Sequence, residues 1–85
     1  MELRTLRYFL AVCEHGTMSR AAEALHVTQP ALSRQIAALE REYGVLLFSR
    51  DRFGMSLTSN GAVLLESART ICAEYECSKE LLCAG

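Results

Sequence analysis

Two hydroxyl residues that are well suited to begin helices, Ser19 and Thr28, stand close together in this chain. A serine or threonine before a helix accepts a hydrogen bond from the free N–H groups of the first turn. Pro30 follows at a position where a helix loses nothing by lacking an N–H group. The interval leaves room for only one short helix, at residues 20–26, and a tight turn. This pair of closely joined helices limits the folds open to the chain more than any other feature.

Hydrophobic residues at helical spacing predict three helices. The second and third lie on either side of the tight turn, and the first precedes them. The first helix runs from residue 3 to about residue 15 and ends at Gly16. The third helix runs over residues 29–43 and ends at Gly44. Each has one apolar face directed to a core. These faces comprise Leu3, Leu6, Phe9, Leu10 and Cys13 in the first helix and Leu32, Ile36, Leu39 and Tyr43 in the third.

The pattern between residues 45 and 57 is typical of a small β-hairpin. Residues 45–48 and 55–57 favour strands, and the turn-prone residues 51–54 separate them. The predicted fold is therefore mainly α. It is a winged helix-turn-helix of three helices plus a small β-hairpin wing, and it occupies residues 1–57.

The remainder, residues 58–85, predicts one long helix with Thr58 as its cap. Its apolar residues follow alternating steps of three and four, which is the spacing of a coiled-coil seam, and Lys79 interrupts them. One small core cannot cover such a helix along its whole length, so we expect a second copy to pack against it in a homodimer. The residues expected at this dimerisation surface are Leu64, Leu65, Ala68, Ile71, Cys72 and Tyr75.

The start of the third helix carries side chains suited to double-stranded DNA. Gln29 can both donate to and accept from an adenine edge, and Arg34 can form two bonds to guanine. The hydroxyls of Thr28 and Ser33 can reach phosphate oxygens. Arg52 at the tip of the wing suits a narrow groove lined with phosphates.

The net charge of −1 counts against nucleic-acid binding, but its distribution does not. Residues 1–54 carry seven arginines and six acidic residues, whereas residues 55–85 carry Arg69 and Lys79 against four glutamates. The excess of acidic residues therefore lies in the last part of the chain. Four of the arginines stand at the starts and turns of elements and can converge on one face: Arg20, Arg34, Arg50 and Arg52.

Long stretches of the chain resemble the LysR-type transcriptional regulators. The similar segments are residues 9–12 (FLAV), 19–36 (SRAAEALHVTQPALSRQI), 39–40 (LE), 47–50 (LFSR), 57–58 (LT) and Gly61. The similarity covers essentially residues 1–65 and is far more specific than a lone helix-turn-helix pattern. It implies a third helix that reads the major groove, a wing near the minor groove and a linker helix that forms an antiparallel homodimer.

The resemblance also implies individual roles. Gln29, Pro30, Ser33 and Arg34 would face bases or the adjoining backbone, and Thr28 the phosphates. Together with the wing arginines and the start of the second helix, the residues predicted to bind DNA are Ser19, Arg20, Thr28, Gln29, Pro30, Ser33, Arg34, Arg50 and Arg52. Family members are longer and carry a C-terminal domain that binds a small-molecule effector and adjusts assembly into tetramers. We expect this chain to be a fragment without that domain, and tetramers only in a full-length form.

Two other classes of function stay open from the residues alone. A winged-helix module that binds protein instead of DNA is conceivable because of the acidic last part, although the placement of the arginines argues against it. A small enzyme is disfavoured because no nucleophile–base pair or phosphate-binding glycine loop is visible. The four cysteines have no C-x-x-C spacing, so reduced thiols are expected and no metal or cofactor is indicated.

The chain has no stretch close to the roughly 20 uncharged residues that a membrane span needs. Glu2, Arg4 and Arg7 occupy the part where a signal peptide would have its apolar core. We therefore expect a cytoplasmic protein with no membrane contact.

Overall fold

The computed structural model describes residues 2–52 and 54–83 of the chain. Four helices and an antiparallel hairpin follow one another in the predicted order, so the winged helix-turn-helix with a long last helix is confirmed. The elements are α1 (Leu3–His15), α2 (Met18–Leu25), α3 (Gln29–Tyr43), β1 (Phe48–Asp51), β2 (Gly54–Leu57) and α4 (Ser59–Cys83). None of the helices in the described ranges is both long and apolar enough to cross a membrane.

Helix ends follow the capping residues with one exception. Gly16 and Gly44 close α1 and α3 with φ of 79° and 70°, a left-handed conformation that glycine adopts without strain. The predicted cap of α2 was wrong. Thr17, not Ser19, accepts the hydrogen bond from the backbone N–H of Arg20, at 3.1 Å. Helix α2 therefore begins at Met18, and Ser19 lies within its first turn.

The hairpin pairs Phe48 with Leu57 and Asp51 with Gly54. The predicted first strand, residues 45–48, was wrong: it shares only Phe48 with β1, and Asp51 and Gly54, predicted in the turn, pair with each other. The N–H of Val45 donates to the carbonyl of Glu40 at 3.2 Å and is thereby withheld from a partner strand. Phe53, which the sequence places in the turn, lies outside the described residues.

The core lies where α1, α2 and α3 meet the start of α4. Its largest fully buried side chains are Leu6, Phe9, Val12, Leu32, Leu39 and Leu47. The ring of Phe9 packs on that of Phe48, with 5.4 Å between centroids, and so joins the wing to the helices. Tyr43, predicted on the core face of α3, is 45% exposed because the chain turns away at Gly44.

Helix α4 is part of this body at its beginning. The hydroxyl of Thr58 accepts from the N–H of Gly61 at 3.0 Å, which confirms the predicted cap. Gly61 packs so closely on the loop before the wing that an added Cβ would stand 2.2 Å from the carbonyl oxygen of Leu47. Leu64 and Ala68 continue this buried face. The sequence predicted a helix here, but not that its first half would be covered by its own chain.

Candidate nucleic-acid interface

The first turn of α3 protrudes from the body. Thr28, Gln29, Pro30 and Arg34 are exposed, and Ser33 is partly buried. The opposite face of the helix is held in the core by Leu32, Ile36 and Leu39. Because residues three and four apart share a helix face, the side chains of residues 29–30 and 33–34 form one outward surface.

Thr28 has a structural role in this surface. Its hydroxyl oxygen accepts a hydrogen bond from the N–H of Ala31 at 3.2 Å and so caps α3. Pro30 occupies the first turn. Pro30 has no N–H, and the N–H groups of Ala31 and Leu32 are bonded to Thr28, so the attraction of this turn for an anion such as a phosphate depends on the N–H of Gln29 and on the helix dipole. The residues that begin the helix therefore also prepare it for a negatively charged partner.

A groove joins α2, α3 and the wing. It has a volume of about 280 Å³ and is lined by Thr17, Met18, Ser19, Gln29, Arg50, Asp51, Gly54 and Met55. Three of the predicted DNA-binding residues, Ser19, Gln29 and Arg50, thus lie together although they belong to three different elements. The side chain of Arg20 is exposed on the next position of α2.

The wing carries its arginines outward. Arg50 lies in β1 opposite Met55 of β2, and Arg52 follows at the turn; both are exposed. The hydroxyls of Ser49 and Ser56, 3.1 Å apart, bridge the two strands next to this pair. The wing therefore extends the positively charged surface away from α3.

Two polar residues that line this groove were not among the predicted ones. Thr17 lines the groove as well as capping α2, and its hydroxyl two residues before Ser19 was a signal for it. Asp51 places a carboxylate in the same groove as Arg50. The strand register decides this placement, since Asp51 is the last residue of β1 and pairs with Gly54. That register was not evident from residue types.

The predicted dimerisation residues divide into three groups. Leu64 and Ala68 are buried within the chain, and Leu65 and Cys72 are partly buried against the same core. Ile71 and Tyr75 are exposed. Helical periodicity located the apolar positions of α4 but did not show which of them are buried within the chain. Leu64 and Ala68 therefore have little surface to offer a second chain.

Tyr75 is held in place by charged neighbours. The guanidinium of Arg7 lies 5.3 Å from the centre of its ring, and the ammonium of Lys79 lies 5.4 Å from it. Glu76 forms ion pairs with both Arg7 and Lys79. These contacts link the middle of α4 to α1.

The cysteines of the described residues are all free thiols. Burial raises the pKa of the Cys13 thiol to about 11, and the charge of Arg69 offsets part of this effect. A thiol that stays protonated is a poor nucleophile and metal ligand. Within residues 2–52 and 54–83, no three histidine, cysteine or acidic residues come together as metal ligands.

Residues 3–62 match the family model described as bacterial regulatory helix-turn-helix protein, lysR family. This match spans the three helices, the wing and the start of α4. The chain belongs to the LysR family. The LysR-type pattern of residues 19–36 therefore coincides with α2, the turn and the exposed start of α3.

Known LysR-family proteins resemble the chain in both sequence and structure. The HTH-type transcriptional regulator ClcR of Pseudomonas putida is 48% identical over 79 residues, which are 93% of this chain and 27% of ClcR. The chain thus spans about a quarter of the length of the curated relatives it matches. The protein chain in the crystal structure of the CbnR DBD–DNA complex is 45% identical in sequence to this chain. The two structures match with a TM-score of 0.92 over 99% of this chain and 97% of the CbnR chain.

A second complex agrees with the first. The protein chain in the crystal structure of BenM DBD with catB site 1 DNA is 36% identical in sequence to this chain. The two structures match with a TM-score of 0.92 over 96% of this chain and 92% of the BenM chain. Both solved complexes therefore contain a domain with the fold of this chain, including the long last helix.

Proposed function

We propose that this chain is the DNA-binding part of a LysR-family transcription regulator and that it binds double-stranded DNA sequence-specifically as a homodimer. The observation that carries the proposal is the protruding first turn of α3, where Gln29 and Arg34 stand exposed beside an arginine-bearing wing. A major groove about 12 Å wide accepts one α-helix, and its base edges match the hydrogen-bonding groups of these two side chains. The similarity to two domains solved on DNA supports this role.

In this proposal each element has a distinct task. Helix α3 enters the major groove, with Gln29, Ser33 and Arg34 toward base edges and Pro30 against the adjoining backbone. Thr28 and the start of α2, at Ser19 and Arg20, lie toward the phosphates. Arg50 and Arg52 lie toward the minor groove, where a cation is attracted without base-specific contacts.

We assign residues 1–57 to DNA binding and residues 58–85 to linkage and dimerisation. Two recognition helices related by a two-fold axis read two half-sites about one helical turn, or roughly 34–36 Å, apart. In a longer protein with the family's effector-binding domain, a small molecule controls assembly into tetramers. We place the protein in the bacterial cytoplasm with its DNA and assign it no catalytic activity.

A titration with random duplex DNA at several salt concentrations tests the proposal. Because phosphate contacts release condensed cations, the logarithm of the binding constant falls linearly with the logarithm of salt, by about 0.9 for each contact. We expect a slope that corresponds to several contacts for each protomer. Absence of duplex binding at low salt would contradict DNA binding and would favour a protein-binding module instead.

Replacement of Arg50 and Arg52 together by alanine supplies the matched control. The slope should decrease by about two contacts for each protomer, because one cation is lost for each arginine. Replacement of Arg4 and Arg69, which are exposed but belong to other faces, should leave the slope unchanged.

A further inference from the structure

The hydrophobic core holds the first half of α4. Gly61, Leu64 and Ala68 are buried there. Within the described part of α4, Cys72 is the last residue that packs against this core. From Cys72 to Cys83 the helix extends by about 16 Å, at 1.5 Å of rise for each residue. The side chains of residues 73–83 are exposed, so the orientation of this second half depends on contacts other than apolar burial.

A charged cluster reaches along α4 beyond the core, and we call it the Arg7 clasp. It consists of Arg7 on α1 and of Tyr75, Glu76 and Lys79 on α4. The guanidinium of Arg7 donates a hydrogen bond to the carboxylate of Glu76, 69 residues away in sequence, and lies against the ring of Tyr75. Lys79 contacts the same ring and lies 3.6 Å from the same carboxylate. A single exposed ion pair stabilises little, but several charges in one network, with two ring contacts, can hold a helix in place.

The clasp is seated on a helix that is itself fixed to the body. Leu6 and Phe9, on either side of Arg7 in α1, are fully buried in the core. The hydroxyl of Thr5, a buried residue of α1, donates a hydrogen bond to the side-chain carbonyl oxygen of Gln35 on α3, at 3.2 Å. Helix α1 therefore contacts the proposed recognition helix through Thr5 and the second half of α4 through Arg7.

The angle between α4 and the body has a consequence for a dimer on DNA. When two chains are joined through α4, as in the proposed function, this angle determines how far apart the two α3 turns lie. The centres of half-sites one helical turn apart are separated by about 34 Å. Over this distance a tilt of about 6° displaces a recognition helix by about 3.4 Å, the rise of one base pair. A small change of the angle therefore changes the spacing of the site that the dimer fits.

We propose that Arg7 is a positioning residue for DNA recognition. It holds the second half of α4 against α1 through Glu76 and Tyr75, and it thereby sets the half-site spacing that the dimer selects. This role rests on the proposed function and adds to it a residue outside the DNA-facing surface. Because Arg7 acts through α4 and not through a contact with DNA, its loss should affect the choice of spacing more than the affinity for one half-site.

Two duplexes that differ in half-site spacing test this role, with the full chain of 85 residues. The first duplex is the site that the parent chain selects from a random pool, and the second has one base pair inserted between the half-sites. The insertion shifts one half-site by about 3.4 Å and rotates it by about 35° around the duplex axis. The ratio of the Kd for the inserted duplex to the Kd for the selected one measures how strictly the dimer reads spacing.

We expect this ratio to be at least about tenfold for the parent, an effect of the size of one mismatched base pair. In Arg7→Ala the ratio should fall below about threefold, because the second half of α4 is no longer held and the dimer adapts to both duplexes. Glu76→Ala and the double variant Arg7→Ala/Glu76→Ala should give the same low ratio, since each breaks the same contact. Arg7→Lys keeps a cation for both Glu76 and Tyr75 and should hold the ratio above about fivefold.

Arg4→Ala removes an exposed arginine one turn earlier on α1 and is the matched control, for which we expect the ratio of the parent. A parent chain that binds no duplex contradicts the proposed function itself. A parent that binds DNA but tolerates the insertion overturns the spacing role and leaves DNA binding in place. An Arg7→Ala variant that keeps the full ratio has the same meaning.

Hydrogen exchange of the chain without DNA supplies a second measurement. The amides of residues 73–83 should exchange at least about threefold faster in Arg7→Ala than in the parent, because a helix end that loses its contacts opens more often. The amides of residues 61–68, which the core holds, should exchange at the rate of the parent and show that the fold is intact. Equal exchange of residues 73–83 in both chains would show that Arg7 does not hold this half of α4 and would overturn its positioning role.

Discussion

The carboxylate of Glu40 accepts a hydrogen bond from the backbone N–H of Leu47 at 2.7 Å and a longer one from Phe48 at 3.4 Å. Glu40 lies near the end of α3, whereas Leu47 and Phe48 lead into the wing. The helix that we propose to read the major groove and the wing proposed for the minor groove are thus joined by one side chain. Their relative position depends on it, together with the packing of Phe48 on Phe9.

We predict that Glu40→Ala lowers the free energy of unfolding by about 1–3 kcal/mol, because the partly buried N–H groups of Leu47 and Phe48 lose their acceptor. Urea unfolding followed by circular dichroism measures this change. Glu23→Ala, at an exposed position of α2, is the control and should change stability by less than about 0.5 kcal/mol. Equal effects of the two substitutions would refute an anchoring role for Glu40.

Gly61→Ala should destabilise the chain by about 1–3 kcal/mol, although alanine is the better helix former. The new Cβ would lie 2.2 Å from the carbonyl oxygen of Leu47 and 2.6 Å from a methyl carbon of Leu57, so α4 must move away from the wing. Asn60→Ala at the neighbouring exposed position is the matched control, with an expected change within about 0.5 kcal/mol. Thermal unfolding of both variants makes the comparison, and a neutral Gly61→Ala would mean that the close approach is easily relaxed.

Cys13 should make the stability depend on pH above neutrality. Burial raises its pKa in the folded chain from 9.0 to about 11, so the folded state retains a proton that the unfolded state loses. The resulting contribution to stability is complete below pH 9.0 and is lost as the pH rises toward about 11. The difference in unfolding free energy between the parent and Cys13→Ala should be constant below pH 9.0. Between pH 9.0 and about 11, the parent should lose stability relative to Cys13→Ala. A difference that does not change with pH would contradict the buried thiol.

Arg34→Ala should weaken binding to a selected site more than binding to random duplex, because an arginine bonded to a guanine edge contributes about 1–3 kcal/mol of discrimination. Arg52→Ala should weaken both to a similar degree, since we propose that it contacts the phosphates and not the base edges. Arg4→Ala, at an exposed position of α1, is the control and should affect neither. Fluorescence anisotropy with the selected and the random duplex measures the affinity of each variant for both. If Arg34→Ala lowers the two affinities equally, Arg34 does not read a base.

Local signals predicted most of the fold. Gly16, Thr28, Pro30 and Gly44 mark helix ends through their own backbone chemistry, so the bounds of α1 and α3 followed directly. The cap of α2 was predicted at Ser19, but Thr17, two residues earlier, caps the helix. Thr17 and Ser19 are both good caps, and the contacts of Met18 in the core determine that the helix begins earlier.

Tertiary contacts explain the remaining differences. The segment after Gly44 has the composition of a strand. The N–H groups of Val45 and Leu47 donate to Glu40, however, so they are not available to a partner strand. Periodicity along α4 gave the apolar positions without showing that Leu64 and Ala68 are buried in the core of their own chain. The types of the proposed DNA-binding residues nominated them from the sequence alone, and their contact with DNA stays a prediction. Their convergence with Asp51 on one groove required the register of the hairpin.

Selection of bound duplexes from a random pool tests the central claim most directly. A homodimer that presents two copies of the α3 turn should enrich a two-fold symmetric site, with half-sites whose centres lie about 10–10.5 base pairs apart or a multiple of that distance. We predict that the parent chain selects such a site. The double variant Gln29→Ala/Arg34→Ala should no longer select it. A pool with no enriched sequence, or with one that persists unchanged in the double variant, would contradict sequence reading by this turn.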